Sequence, residues 1–281
     1  MFVIKLEADN APLSFIATVK PAIDFLEQSL DKATSFTPSV LLLLEGARRR
    51  AEQRRPPRQK APTVTRSDVA TVLRHHYLPH AADPRAINKV RLRTIFRMVL
   101  VYHTACRLDC FSRLMARDFD LLDDDILITF KSAKNDQHHN GNRSVLSSSA
   151  SPFCPVTITK AFFRVFGFRF GLAGGDTSHV SCRIRCGAGH RLTILPHSTV
   201  SYSGATADLR KLFSSAGIHK QVTDKSIKML AVTTAFASGG SSEQVMHLGR
   251  WASISTPEHY KHNSTDFKLS VSSLVPALLP L

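Results

Sequence analysis

Apolar side chains recur at helical spacing over most of this chain, which predicts a mainly α-helical protein. Two such stretches lie within residues 1–53, and Thr65 with Asp68 forms a Thr-x-x-acid capping box before a third. The segment from Asn88 to Thr104 has the clearest amphipathic pattern, with its arginines expected away from the apolar face. Further helices are predicted at three places: 152–170, 205–216 and the stretch that begins at Lys225.

Strand patterns are confined to short segments. Residues 109–125 are predicted to continue as helix up to three consecutive aspartates. The run 126–146 is β-branched at its start and passes through a turn rich in Asn, Asp and Gly, the pattern of a β-hairpin. Residues 171–204 are predicted to form an irregular loop or an extra hairpin. The predicted fold class is therefore mainly α with a small β-sheet (α+β), of either two or three strands.

A proline pair divides the chain, because Pro56 and Pro57 do not permit a helix at that point. We therefore predict a helical N-terminal domain at 1–53, a basic linker at 54–64 and a larger domain at 65–281. The basic residues around the prolines are Arg48, Arg49, Arg50, Arg54, Arg55, Arg58 and Lys60. This tract is a DNA-backbone strap, a nuclear-import tract or a solvated run of charge.

The charge of the chain favours a polyanionic partner. Thirty-seven Lys and Arg residues against 22 Asp and Glu give a formal net charge of +15. Phosphate backbones are the commonest such partner, and an anionic membrane surface is the alternative. No apolar run reaches the ~18 residues that a membrane span needs. The N-terminus also lacks a signal-peptide layout. We expect an intracellular protein without a membrane partner, located in the nucleus if the host is eukaryotic.

A cluster of metal-ligating residues suggests a second class of function. Five cysteines are an odd number, so the sequence implies no disulfide framework. Two imidazoles and two thiolates within twelve residues make a plausible tetrahedral zinc set, namely His179, Cys182, Cys186 and His190. Their spacing matches no common zinc finger, so reduced cysteines in an exposed insertion are the alternative. With zinc, the chain would be a zinc-stabilised structural adaptor, and otherwise no cofactor is expected.

Three blocks of residues carry a recognisable order. They are 104–114 around Arg107, the hairpin residues 130–137 around Lys134, and the stretch 225–260. The third block has two lysines three apart, a Leu-Gly-Arg-Trp turn, and Tyr260 nine residues after Trp251. This order resembles that of tyrosine recombinases and phage-type integrases, over roughly residues 61–262. The Lys-x-Asp-Gln of the hairpin and the Gly-Arg-Trp turn are most similar to recombinases of DIRS-type retrotransposons and Crypton-type elements.

The resemblance implies a role for each residue at the site. Tyr260 would be the nucleophile, Arg107 a clamp on the phosphate, and Lys134 the acid that protonates the leaving 5′ oxygen. Trp251 would pack beside the phosphate and donate its indole N–H, and Lys225 stands where the family has His or Lys. These residue types suit the chemistry. A tyrosine oxygen can hold phosphorus as a phosphodiester, and the planar fork of arginine contacts two phosphate oxygens.

Lys228 departs from the family pattern, because it occupies the position of the second clamp arginine. Lysine keeps the charge but loses the fork, and removal of one preorganised donor commonly costs about 10²–10³ in rate. Two functions therefore stay open. One is site-specific strand exchange through a 3′-phosphotyrosine link, by a slowed recombinase of a mobile element. The other is a co-opted DNA-binding protein with the same fold and no cleavage.

The resemblance also implies partners. Double-stranded DNA and a homotetramer on paired sites are expected, with no cofactor, and residues 1–53 would be a DNA-clamp domain shorter than the family's own. The apolar tail 271–281 either docks on the neighbouring protomer in a cyclic exchange or folds back on its own domain.

Overall fold

A computed structural model describes the chain over 45–47, 49–50, 63–131, 142–171, 175–187, 192–251, 253–255 and 258. The chain divides into two compact units, Met1–Lys60 and Ala61–Leu281. In the first unit, 45–47 and 49–50 are helical, and Arg49 pairs with Glu45 one turn earlier at 2.7 Å. The predictions that lie outside the described residues are those for Arg48, Arg54, Arg55, Arg58, Lys60, Lys134, His190, Tyr260 and the tail 271–281.

Helices are the main regular structure among the described residues of the second unit, as the periodicity predicts. They are α1 (Arg66–His76), α2 (Lys89–Thr104), α3 (Leu108–Arg113), α4 (Pro155–Phe166), α5 (Tyr202–Ser215), α6 (Asp224–Ala237) and α7 (Ser242–Gly249). The predicted capping box is present, since Thr65 accepts from the backbone of Asp68 at 3.2 Å and Asp68 accepts from the backbone of Thr65 at 2.8 Å. Within the described residues, no helix is both long and apolar enough to cross a bilayer.

Helix α2 is the central element of the core. Every residue from Leu92 to Val101 is buried, so neighbouring elements cover this helix on all sides. The prediction that its arginines avoid the core is wrong for Arg93 and Arg97, which are 4% and 1% exposed. Each is buried because a carboxylate from a later helix pairs with it. Arg93 contacts Asp208 at 2.5 Å, and Arg97 contacts Asp224 at 3.1 Å.

The strands form two small antiparallel sheets. They are β1 (Phe119–Leu122), β2 (Asp125–Phe130), β3 (Asn142–Leu146), β4 (Cys182–Cys186) and β5 (Leu192–Thr199). The first three make one sheet in the order β1-β2-β3, and β4 pairs with β5. The predicted hairpin at 126–146 and the extra hairpin within 171–204 are thereby confirmed, as is the mainly α fold class with a small sheet.

The prediction of helix over 109–125 is wrong beyond Arg113. Helix α3 stops there, and the chain enters β1, whose Leu122 pairs with Asp125 across a two-residue turn. Asp123 adopts φ +46 in this turn, a left-handed conformation that Asp tolerates better than most side chains. Three aspartates therefore mark a hairpin turn and not a helix end.

Candidate functional site

Four of the six residues predicted for the catalytic site line one cleft. Arg107, Lys225, Lys228 and Trp251 lie in its wall, and the cleft encloses about 670 Å³. The wall is completed by Thr199–Tyr202, between β5 and α5. Residues separated by more than a hundred positions in sequence therefore meet at one opening. The remaining two, Lys134 and Tyr260, lie outside the described residues.

Helix ends position the cationic side chains of the cleft. Ala105, at φ +45, ends α2 and turns the chain so that Arg107 becomes the extended N-cap residue of α3 with an exposed side chain. Lys225 and Lys228 lie three apart in the first turns of α6 and hence on neighbouring positions of one helix face. Lys225 is exposed, whereas Lys228 is 8% exposed. Lys228 is thus the deeper of the two.

Trp251 covers the buried lysine. The Lys228 ammonium lies 4.7 Å from the centroid of the Trp251 ring, a cation–π contact, and Trp251 is itself 7% exposed. Gly249 makes this packing possible, because a Cβ at that position would lie 2.3 Å from Trp251 Cε3. The Gly-Arg-Trp turn therefore brings the indole against the end of α7 and holds it over Lys228.

Positive charges crowd around Lys228 and change its protonation. Burial, together with repulsion from Arg107 and Arg250, lowers the pKa of Lys228 to about 8, against smaller opposing effects from the thiols of Cys106 and Cys110. Burial also lowers the pKa of Arg250, with Arg107 contributing in the same direction. A cluster of mutually repelling cations is a ready site for an anion such as a phosphate.

Arg250 is the functional candidate that sequence reasoning missed. It is the C-cap residue of α7 and adopts φ +51, in the left-handed region. Its guanidinium carbon lies 4.1 Å from the centroid of the Phe130 ring, and its Nη1 donates to Ser144 Oγ at 2.8 Å. Arg250 thus connects the end of α7 to strands β2 and β3. The sequence signal that could have identified Arg250 is a bulky residue directly after a helix, at a position where glycine is usual.

A buried ion pair fixes the helix that carries both lysines. Asp224 is the first residue of α6, lines the cleft, and contacts Arg97 of α2 at 3.1 Å. Burial raises the pKa of the Asp224 carboxyl, and the Arg97 guanidinium opposes that shift. Arg97 also donates to Ala205 O at 2.5 Å, so one guanidinium joins α2, α5 and α6. The position of Lys225 and Lys228 depends on this junction.

The zinc hypothesis meets a geometric obstacle. Cys182 and Cys186 are the first and last residues of β4, and four residues of strand span about 13 Å. Zinc–sulfur bonds are ~2.3 Å long, so one ion cannot bind both thiolates in this conformation. Cys182 is buried, which raises the pKa of its thiol to about 11. Among the described residues, no three His, Cys, Asp or Glu side chains converge on a common point.

Gly249→Ala is expected to lower stability and, on the DNA-binding function proposed below, affinity for duplex DNA. The added methyl group would overlap the Trp251 ring, so the indole must leave its place over Lys228. Overpacking of this kind costs typically about 1–3 kcal/mol in the free energy of unfolding. Urea denaturation and duplex binding measure the two effects. Trp251→Phe is the matched control, since a smaller ring relieves the clash, and Gly249→Ala should cost less in that background.

No protein-family model matches the sequence, and no curated protein matches it. Among solved structures, XerA recombinase is similar over 94% of this chain and 84% of its own, at 15% identity and a TM-score of 0.52. The XerH site-specific recombinase bound to palindromic difH substrate matches 76% of this chain, at 14% identity and a TM-score of 0.52. The match spans 54% of the length of XerH.

A fragment of the Tn1549 transposon integrase, in complex with transposon right end DNA, gives a TM-score of 0.50 at 14% identity. That match covers 95% of this chain and 86% of the integrase fragment. The chain has the tyrosine recombinase catalytic-domain fold. The fold implied by the order of the three sequence blocks is therefore confirmed, whereas the residue roles implied by those blocks stay predictions.

Proposed function

We propose that this protein is a tyrosine recombinase that breaks and rejoins DNA through a 3′-phosphotyrosine link. The observation that carries the proposal is the meeting of Arg107, Lys225, Lys228 and Trp251 at one cationic cleft. XerH and the Tn1549 integrase, whose fold this chain shares, were solved with DNA. A net charge of +15 suits the same partner.

The reaction requires a nucleophile, an anion clamp and an acid. The Tyr260 oxygen attacks the scissile phosphorus and forms a new P–O bond, and the bond to the 5′ oxygen breaks. Lys134 protonates that leaving oxygen, and a later attack by a 5′ hydroxyl releases the tyrosine. Arg107 and Lys228 neutralise the charge that develops on the non-bridging oxygens, so the catalysis is mostly positioning and charge stabilisation.

Finer features of this proposal rest on sequence motifs. The Lys-x-Asp-Gln of the hairpin and the Gly-Arg-Trp turn support a mobile-element recombinase of the DIRS or Crypton type, acting in integration. Such an enzyme would work as a tetramer on paired sites, in the nucleus of a eukaryotic host. Residues 1–53 would clamp the DNA, and the tail 271–281 would dock on the neighbouring protomer.

A second candidate function is DNA binding without cleavage. The observation in its favour is Lys228, which offers one buried ammonium where a bidentate guanidinium would hold two oxygens. A nicked suicide substrate, from which the cleaved fragment diffuses away, separates the two candidates on a denaturing gel. A covalent protein–DNA band supports the recombinase. Its absence, with DNA binding retained, supports the binding protein.

Lys228→Arg is expected to change how DNA binding depends on pH. Since the pKa of Lys228 is lowered to about 8, its ammonium is charged below that value and neutral above it. We therefore expect the Kd of the wild-type protein for duplex DNA to increase several-fold between about pH 7 and about pH 9. An arginine stays charged over this range, so the variant should lose much less affinity. Fluorescence anisotropy at constant ionic strength measures both.

Lys228→Arg should also cleave DNA faster than the wild type, because the planar guanidinium restores a second hydrogen bond to the phosphate. Equal pH profiles for the two proteins would show that Lys228 does not contact the bound anion. An unchanged cleavage rate with normal binding would favour the DNA-binding candidate.

A further inference from the structure

We propose that the hairpin of β4 and β5, hereafter the ribbon, is a second contact to the DNA backbone that continues the DNA path beyond the cleft. This inference rests on the proposed function, since it takes DNA as the ligand of the cleft. No residue of the ribbon belongs to the predicted catalytic set. The charge, the orientation and the attachment of the ribbon support this assignment.

The ribbon lies in a stretch of the second unit that carries only positive charge. Between Asp176 and Asp208 the sequence contains arginines and histidines but no Asp or Glu. Two of the arginines, Arg183 and Arg185, lie in β4, and both are exposed. Their charge is therefore not neutralised from within the ribbon, and it favours an anionic partner.

The register of the ribbon directs this charge outward. Ile184 pairs with Ile194, and both pack against the hydrophobic core. Because side chains alternate between the two faces of a strand, Arg183 and Arg185 share the opposite face. They lie two residues apart, or about 6.8 Å along the strand. Successive phosphates on one DNA strand rise ~3.4 Å along the helix axis and lie farther apart than that along the backbone, so the two guanidinium groups are spaced widely enough to contact different phosphates.

The base of the ribbon is fixed to the centre of the molecule. The buried Arg93 of α2 donates to Cys182 O at 2.6 Å and to the Asp208 carboxylate at 2.5 Å. The first residue of β4 is thereby held between α2 and α5. A ribbon with a fixed base presents its arginines without a large loss of conformational entropy on binding.

The ribbon is continuous with the rim of the cleft. Strand β5 ends at Thr199, and Thr199–Tyr202 form part of the cleft wall. Val200 also donates to Ser181 O at 3.0 Å, which joins the end of β5 to the residue before β4. A duplex held at the cleft therefore has a second basic surface adjacent to it, on the outer face of β4.

The experiment compares two double variants of the full chain that remove equal charge. Arg183→Ala/Arg185→Ala changes the ribbon, whereas Arg85→Ala/Arg164→Ala changes exposed arginines that lie neither on the ribbon nor on the cleft. Duplex binding is measured by anisotropy over a series of salt concentrations, with a long and a short duplex. Thermal unfolding reports whether each variant folds as the wild type does.

We expect the slope of log Kd against log salt to fall by about 1.8 for the ribbon variant, which is two phosphate contacts at ~0.9 each. The loss should be larger on the long duplex than on the short one, and the control variant should keep the wild-type slope. If the slope for the ribbon variant equals the wild-type slope, or if the slope falls equally in both variants, the ribbon is not a DNA contact. If the ribbon variant binds DNA as the wild type does but no longer binds vesicles that contain anionic lipid, the ribbon is a membrane contact. That result would also overturn the proposal.

This outcome is separable from the proposed function. A wild-type chain that fails to bind DNA contradicts both ideas. A wild-type chain that forms the covalent adduct while the ribbon variant binds normally contradicts the ribbon contact alone. Charge reversal, Arg183→Glu/Arg185→Glu, should weaken binding more than the alanine pair does if the contact is electrostatic.

Discussion

Tyr260→Phe should abolish the covalent protein–DNA adduct while leaving the Kd for duplex DNA within about twofold of the wild type. Phenylalanine lacks the oxygen that would bond to phosphorus, so no phosphotyrosine can form. Binding should persist because the residues proposed to contact the phosphates, Arg107, Lys225 and Lys228, are unchanged in this variant. Denaturing gels of a radiolabelled suicide substrate measure the adduct, and anisotropy measures the affinity.

The chain supplies a matched control for this experiment. Tyr202 also lines the cleft and is 66% exposed, so it is a second tyrosine with access to the same space. Tyr202→Phe should form the adduct at the wild-type level. A result in which Tyr202→Phe loses the adduct and Tyr260→Phe retains it would move the nucleophile to Tyr202. It would also show that the prediction of Tyr260 as the nucleophile, made from its spacing after Trp251, is wrong.

Asp224→Ala is expected to have the largest effect on stability. The substitution leaves the Arg97 guanidinium buried without its carboxylate, and breaking a buried pair from one side costs about 3–5 kcal/mol in the free energy of unfolding. Urea denaturation monitored by Trp251 fluorescence measures this loss. Asp109→Ala is the control, because its pairing with Arg113 at 3.2 Å is exposed and such pairs contribute only about 0–1 kcal/mol.

A double variant separates pairing from packing. Arg97→Met/Asp224→Leu removes both charges and fills the same space with apolar atoms, which is often neutral for stability. We expect it to recover most of the stability lost in Asp224→Ala. If Asp224→Ala is no less stable than Asp109→Ala, the contact at 3.1 Å does not hold α6 in place, and the positions of Lys225 and Lys228 have another cause.

Local signals in the sequence predicted the helices well, because the determinants lie within a few residues of each other. The capping box at Thr65 and the period of α2 are of this kind. Strand β1 was missed because its four residues follow a short helix and show no alternation long enough to detect. The pairing that makes Phe119–Leu122 a strand comes from β2, which is information that local periodicity does not contain.

The candidate site was also predictable only in part from the sequence. The order of the three sequence blocks grouped Arg107, Lys228 and Trp251, and these residues do line one cleft, whereas their roles stay predictions. Nothing in the sequence indicated that Arg97 would pair with Asp224, since the partners are far apart in the chain and each looks like a surface residue. Burial of Lys228 was also unpredictable, because it depends on the indole that covers it.

The left-handed backbone at Arg250 has a consequence for how this sequence would drift. An arginine there is disfavoured by about 1 kcal/mol or more relative to glycine, so replacement by glycine would relieve a backbone cost. The contacts of Arg250 with Phe130 and Ser144 offset this cost in the folded protein. On the proposal that the gene belongs to a mobile element, copies freed from selection should lose this arginine early. Position 250 would then distinguish working copies from relics by sequence alone.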